Sequence, residues 1–328
     1  MGSAREAPGE VGLVADIGGT NARFALTDAP FDEDHVKALK TAEFPGLADA
    51  ARAYLDLTGA RTRPRSAAIA VASPITGDRV EMTNNAWSFS IAALERTLDL
   101  DRLEVVNDFA AIAYAVPHLG ERDSVGVGTG KAIPGEPIGV IGPGTGLGVA
   151  ALVPVCRDDW IALASEGGHV TMAATDDREA AVISALRRRV GHVSAERVLS
   201  GPGLVNLYRT LADLDGHPPE SLNPAEVSER ALGESCPIST QALELFTGML
   251  GNVAGNLALT LAARGGIYIG GGIVPRLGST FAISPFRHRF EDKGRFRAYL
   301  STIPTRVILH AFPALVGLKG LLAKSVTA

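Results

Sequence analysis

The sequence predicts an α/β protein of two lobes. Strands and helices alternate along most of the chain, each half opens with a strand, a glycine turn and a second strand, and one more strand with a glycine turn comes late. In the first half VGLVAD, from Val11, reads as a buried strand, IGGTNA as a turn and RFALTD as a strand with alternating apolar residues. A strand is expected over 36–43, a helix over 47–57, an apolar strand over 67–72 and a helix over 91–98. LEVVNDF is a short apolar strand ending on Asn107 and Asp108, and the helix after it runs to Val116, where Pro117 stops it.

Beyond His118 glycine becomes frequent, and the second half begins with a strand over 138–141, the turn GPGTGLG and a strand over 149–153. Helices are expected over 177–189, 195–199, 204–211 and, longest, 240–263. The strand GIYIGGGIV, a helix from near Pro275, a basic and aromatic stretch to Leu300, a strand over 306–310 and a last helix complete the chain. The expected division is a smaller domain over 11–117 joined by the C-terminal helix at about 311–328, and a larger one over 118–310.

Composition removes several classes of function. Lys and Arg total 31 against 36 Asp and Glu and form no dense block, which argues against a nucleic-acid partner. Cys156 and Cys236 lie far apart without ligand spacing, so neither a disulfide scaffold nor a cysteine-rich zinc site is expected, and the compartment reads as reducing. The polar start MGSAREAPGE has no apolar core and reads as a frayed tail, and Glu6 stands where a myristoylation signal after Gly2 needs Ser or Thr. The longest apolar stretch, 257–274, is broken by Arg264 and by glycines, so no membrane partner and a cytoplasmic location are expected.

The glycine turns suggest a nucleotide. Asp16, Gly18, Gly19, Thr20 and Asn21 place flexible glycines and small donors at a hairpin tip, where amides can converge on phosphate oxygens. Asp16 beside phosphates would need Mg²⁺, bound through water, between the two. A tight β-turn explains that turn equally well. The turn around Gly144, Thr145 and Gly146 has glycines at 142, 144, 146 and 148, a spacing that exposes amides as an anion nest. It matches neither the P-loop nor the dinucleotide fingerprint. The third turn, with Gly271, Gly272 and Ile273, leads into a helix whose N-terminus would favour adenosine or phosphate; close strand–helix packing is the competing reading.

Two places offer acid–base or hydrogen-bonding chemistry. Asp108, at the end of a buried strand, is placed to accept a hydroxyl proton as a general base, or to cap a helix beginning at Phe109. Glu166 and His169, with two glycines between them, can bend toward one small polar ligand, and no second His or Cys supports zinc there. Glu196 alone would be read as first-turn helix charge.

Taken in order, ADIGGTNARFAL, VEMTNNAW, VVNDFAAIAYAVP, GPGTGLGVA, SEGGHV, GHVSAERVLSGPGLVNLY, GGGIVPR and FEDKGRF resemble the bacterial glucokinase family over nearly the whole chain. The resemblance implies a two-lobed actin-like ATPase (ribonuclease H-like) fold with ATP and sugar bound in an interlobe cleft. It places the catalytic aspartate on Asp108 and the glucose ligands on Asn107, Asp108, Glu166, His169 and Glu196. Phosphate loops fall on 16–20 and 144–146, and the adenosine loop on 270–273. It also implies ATP with Mg²⁺, and a homodimer by analogy. The zinc-binding cysteine motif of the related repressor and kinase group is absent. Ala15 stands where glycine is common in the family, and Ser165 where glycine or another small residue is usual. A kinase of another hexose and a non-catalytic sugar sensor on the same fold are the competing readings.

Overall fold

A computed structural model describes residues 11–59, 63–156 and 159–324. The polar start, read above as a frayed tail, lies outside the described residues. The chain divides into two compact units, Met1–Leu119 with His310–Ala328, and Gly120–Leu309.

The first unit is built on β1 (Gly12–Ile17), which is buried along nearly its whole length. Such a continuous apolar run suits a central strand with both faces covered. β1 pairs antiparallel with β2 (Asn21–Leu26), whose other edge takes β3 (Lys37–Lys40). After α1 (Leu47–Thr58) the chain adds β4 (Ser66–Val71) parallel to β1. A small hairpin of β5 (Arg79–Glu81) and β6 (Ser88–Ser90) and the helix α2 (Ile91–Thr97) follow. β7 (Arg102–Asn107) then lies parallel to β4, completing the order β3-β2-β1-β4-β7, and runs directly into α3 (Asp108–Ala115). Phe24 of β2 stacks on Tyr54 of α1 in the buried layer, with ring centroids 5.4 Å apart.

The second unit repeats this plan in a larger frame. After β8 (Ser124–Val127), β9 (Ile138–Pro143) forms a hairpin with β10 (Leu147–Cys156), and β11 (Asp159–Ser165) is the outer strand. The helices α4 (Asp177–Val190), α5 (Gly201–Leu214), α6 (Pro224–Leu232) and α7 (Pro237–Leu261) come next. β12 (Gly266–Ile269) then lies parallel to β9. Short helices α8 (Val274–Leu277), α9 (Ser279–Ile283), α10 (Phe286–Glu291) and α11 (Arg297–Ser301) lead to β13 (Thr305–Ile308), parallel to β12. The order is β11-β10-β9-β12-β13-β8. Its first five strands share the arrangement of the first sheet, an antiparallel three-strand group extended by two parallel strands. Helix α7 supplies Phe246, Met249 and Leu250 to the main buried cluster of this unit. The chain then returns to the first unit as α12 (Pro313–Ala323).

Several elements differ from expectation, each for a local reason. The strand expected over 36–43 ends at Lys40, because the Thr41 amide and hydroxyl turn back to the carbonyls of Thr20 and Gly19. The segment 195–199 makes turns and no helix, because the amides of Ala195 and Glu196 donate to the distant carbonyls of Val170 and Gly168. The helix expected from Pro275 is α8, four residues long and closed by Gly278 at φ 55°. The longest helix, expected over 240–263, spans Pro237–Leu261.

Helix α12 matters to the site because it packs on α3, β1 and β4. Gly317 lies directly against the backbone of α3: a Cβ there would collide with the Ala111 carbonyl and stand 2.7 Å from the Ala115 amide. Backbone of a helix cannot yield as a side chain does. Gly317→Ala is therefore expected to destabilise the protein by about 1–3 kcal/mol, as overpacking does. Gly77→Ala, at a position with nothing within 4 Å of the added carbon, should be near neutral. Urea unfolding midpoints of the two variants test this; equal midpoints would overturn it.

Candidate active site

In the first unit the turn joining β1 to β2 is held by its carbonyls. Asn85 Nδ2 donates to Gly18 O at 3.1 Å, Thr41 Oγ1 to Gly19 O at 2.8 Å and the Thr41 amide to Thr20 O at 3.0 Å. With the carbonyls engaged, the amides of Gly19 and Thr20 donate to no other described residue. Outward-facing amides at a fixed turn are what an anion nest needs. Asn21, the first residue of β2, closes the turn through its carbonyl, which accepts from the Gly18 amide at 3.0 Å. Asn85 is itself anchored, its Oδ1 accepting from the Trp87 amide at 2.8 Å. Neither Thr41 nor Asn85 was singled out from sequence; the run TNNAW was the available signal.

Asp16, at the end of β1, faces Arg23 across the β1–β2 pair, with Oδ2 3.3 Å from the guanidinium. Burial pushes the Asp16 carboxyl above its usual range, and the charge and hydrogen bond of Arg23 oppose that rise. One carboxylate does not make an all-protein metal cage, and no group of three or more metal-ligating side chains occurs among the described residues. A single carboxylate beside a turn whose amides could take phosphate oxygens does fit a hydrated Mg²⁺ that would take its remaining ligands from water and nucleotide.

The other feature of this unit is the junction of β7 and α3. The helix cap is Asn107, one residue earlier than the capping alternative raised for Asp108, and the helix begins at Asp108. Asn107 Oδ1 accepts from the amides of Phe109 at 2.9 Å and Ala110 at 3.3 Å. Its amide nitrogen keeps two donors for a ligand. Asp108, in the first turn, has Oδ1 2.9 Å from the Phe109 amide. It is half-buried, at the carboxyl end of a parallel strand, where α/β sheets present side chains to ligands.

In the second unit four sequence-distant pieces come together. Gly167 and Gly168 fold the chain over the start of β10, and a Cβ at Gly168 would collide with the Leu147 carbonyl. The glycine pair between Glu166 and His169 thus serves backbone contact as well as flexibility. Glu166 Oε2 and His169 Nε2 are 3.8 Å apart, both side chains largely exposed. The Glu196 amide donates to Gly168 O at 2.8 Å, and its Oε2 accepts from the Leu147 amide at 2.9 Å. Glu196 is therefore tied to both the 166–169 turn and the β9–β10 turn, and is not the first-turn helix charge it resembles in isolation. Ser200 Oγ holds the Glu196 carbonyl at 2.8 Å, and the Gly201 amide donates to Gly144 O at 2.8 Å. Sequence reading did not single out Ser200 or Gly201.

The nest at this turn is smaller than the glycine spacing implies. Gly142 and Gly148 face each other within the β9–β10 ladder, leaving Gly144, Thr145 and Gly146 as the turn itself. The third turn lies against it, because β12 runs parallel to β9. The Gly270 amide donates to Ile141 O at 2.8 Å and the Ile273 amide to Pro143 O at 3.4 Å. Gly271 has φ 78°, and a Cβ there would collide with the Pro143 carbonyl. The amides of Thr145, Gly146, Gly271 and Gly272 donate to no other described residue, so two turns present one set of donors. The four-residue α8 that follows is too short for the dipole expected of it.

The fold is shared with known sugar kinases. The structure of a ROK family glucokinase from Streptomyces griseus in complex with glucose and AMPPNP superposes with a TM-score of 0.62 at 19% identity, covering 95% of this chain and 98% of that one. The fold is thus that of the glucokinase and ROK sugar kinases, an actin-like ATPase fold. A glucokinase of an Antarctic psychrotroph, at 39% identity, gives a TM-score of 0.87 over 96% of this chain and 99% of that chain. The glucokinase of Paramagnetospirillum magneticum is 52% identical over 309 residues, 94% of this chain and 96% of its own length. The family profile described as Glucokinase matches residues 13–325. The chain belongs to the glucokinase family.

The double engagement of Asn107 makes a separable prediction. Asn107→Ala should lose the cap and about 1 kcal/mol of stability, whereas Asn107→Asp keeps a capping oxygen and should stay close to the parent. Chemical denaturation of both variants tests this, and equal losses in the two would contradict the assigned cap.

Proposed function

We propose that this chain transfers the γ-phosphoryl group of ATP to the 6-hydroxyl of glucose, with Asp108 as the base. The observation that carries the assignment is Asp108 itself, a carboxylate set in the first turn of α3 next to a capping asparagine whose donors remain available. Asn107 donates to a sugar hydroxyl, and Glu166, His169 and Glu196 of the second unit satisfy further hydroxyls. Sites that hydrogen-bond hydroxyls discriminate strongly against ligands lacking them. Asp108 accepts the proton of the 6-hydroxyl as that oxygen attacks phosphorus, and the proton resides on its carboxyl group when the phosphate ester has formed.

The nucleotide is assigned to the glycine turns. Amides of Gly19 and Thr20, with Gly18 and Asn21 shaping their turn, face its phosphates, as do those of Thr145 and Gly146. Gly271, Gly272 and Ile273 are assigned to the adenosine end. Asp16 is the residue that would hold Mg²⁺ through water, and the ion would supply neutralisation of phosphate charge. Binding of sugar and nucleotide side by side, a homodimeric assembly and a cytoplasmic location complete the reading by family analogy. Among the described residues no helix is long and apolar enough to cross a membrane. The glucokinase relatives weigh against another hexose as principal substrate and against a non-catalytic sensor.

A coupled assay for glucose-dependent ADP release tests the activity. Asp108→Asn should lower kcat by about 10²–10⁴-fold, the usual contribution of a general base, with glucose binding by calorimetry largely retained. Near-normal turnover would refute the role of Asp108. Removing divalent cations with EDTA should abolish turnover, and added Mg²⁺ should restore it; turnover that survives chelation would remove the metal from the reading.

A further inference from the structure

The N-terminus of α7 carries a nucleophile that phosphoryl transfer does not use. Cys236 occupies the cap position of this 25-residue helix and is partly exposed. The amides of Ile238 and Ser239 and the Ser239 hydroxyl lie near its sulfur, close enough to favour the thiolate. Sulfur is a weak acceptor, and no side-chain cap hydrogen bond is completed. The consequence is visible at Ser239, which is fully buried. Its Oγ is the one buried side-chain nitrogen or oxygen among the described residues without a hydrogen-bond partner. Three donors therefore converge on a position where an oxygen atom bonded to sulfur would satisfy them, and the sulfur alone does not.

The charges around the thiol favour its ionised form. Arg230 of α6 is the cation that acts on it. Arg230 also pairs with Glu220 at 2.8 Å and feels Tyr208 of α5. Burial raises the thiol's pKa, but the nearby polar donors of Ser239 and Ile238 and the charge of Arg230 outweigh it, leaving the group below the usual thiol range. Thiolate is the reactive form, and a low-pKa, accessible cysteine is where oxidation concentrates.

We infer that Cys236 is an oxidation site for hydroperoxides, and that the sulfenate formed there is held by the α7 amides and the Ser239 hydroxyl. The thiolate sulfur attacks the terminal peroxide oxygen. An S–O bond forms as the O–O bond breaks, and the departing oxide takes a proton from solvent and leaves as water or alcohol. Sulfur gives up two electrons and the peroxide gains them. The new oxygen accepts from Ile238, from Ser239 and from the Ser239 hydroxyl, so the oxidised residue caps α7 where the thiol did not. The donors hold the product, and Arg230 promotes the reactant.

The test uses the full chain with Cys156→Ser, so that Cys236 is the sole cysteine. Hydrogen peroxide is added with dimedone, and the adduct is followed by peptide mass spectrometry. Adduct at Cys236 is expected to form several-fold faster than on glutathione at the same pH. Ser239→Ala and Arg230→Gln should each slow it several-fold. Neither residue belongs to the proposed catalytic set, so glucose phosphorylation unchanged in both variants verifies folding. The iodoacetamide rate against pH should rise at a lower pH in the parent than in Arg230→Gln. Labelling no faster than glutathione, or unaltered by both substitutions, would overturn the inference.

Discussion

The close approach of Gly168 to the carbonyl of Leu147 sets the candidate site in the larger unit. It brings the 166–169 turn onto the start of β10, and the Gly168 carbonyl then accepts the Glu196 amide. Once the Glu196 backbone is fixed, its carboxylate reaches the Leu147 amide. A carboxylate that accepts a backbone amide is anchored by a charge-assisted bond, stronger than one between neutral groups. One contact between two stretches of main chain therefore orients Glu166, His169 and Glu196 together, and places Glu196 2.5 Å from where a Cβ on Gly146 would stand. A side chain at 146 would displace the carboxylate; a side chain at 168 would separate the two turns.

The smaller unit solves the corresponding problem with hydrogen bonds instead of bulk. Its β1–β2 turn has every carbonyl from Gly18 to Thr20 engaged by Asn85 or Thr41, so the peptide planes are held with their amides free of protein partners among the described residues. Preorganised donors lower the reorganisation cost at the moment charge develops, which is where electrostatic catalysis gains most. Asn107 and Asp108 divide the labour at the head of α3 in the same spirit. The asparagine takes the capping task, and the adjacent carboxylate is thereby relieved of it as the main duty.

What was legible in the sequence followed from local physics. The β1–β2 and β9–β10 hairpins, the β7–α3 junction and the long helix α7 are set by short-range patterns, glycine turns between apolar runs and helical spacing, and the structure has them close to where those patterns lie. What was not legible depended on distant partners. Residues 195–199 have helical composition, but their amides are taken by Val170 and Gly168, contacts no local window contains. Thr41 ends β3 for the same kind of reason. Gly142 and Gly148 seemed part of an anion nest because spacing cannot say which glycines pair across a ladder. Helix α6 was missed although Asn223 and Glu226 form a reciprocal capping box that the run NPAE spells out, and there the signal was present and unused. Among candidate site residues, those with unusual chemistry in a short motif stood out in the sequence, and those that position them, Asn85, Thr41 and Ser200, did not.

The last helix binds these points together in the first unit. Arg102, the first residue of β7, donates to the carbonyls of Leu321, Leu322 and Lys324 at the end of α12, where a helix leaves carbonyls without intrahelical donors. At the other end of the same strand Asn107 satisfies the amides that open α3. Strand β7 thus terminates two helices, one at each end, and Gly317 lets those helices meet backbone to backbone. Buried Leu315, Leu318 and Leu321 hold α12 in place by an area-dependent term with no directional preference. Direction comes from Arg102 and from the glycine contact. The position of Asp108 is therefore set by residues from the far end of the chain, more than 200 positions away along the sequence, and the segment that carries the proposed base is complete only when the C-terminal helix has docked.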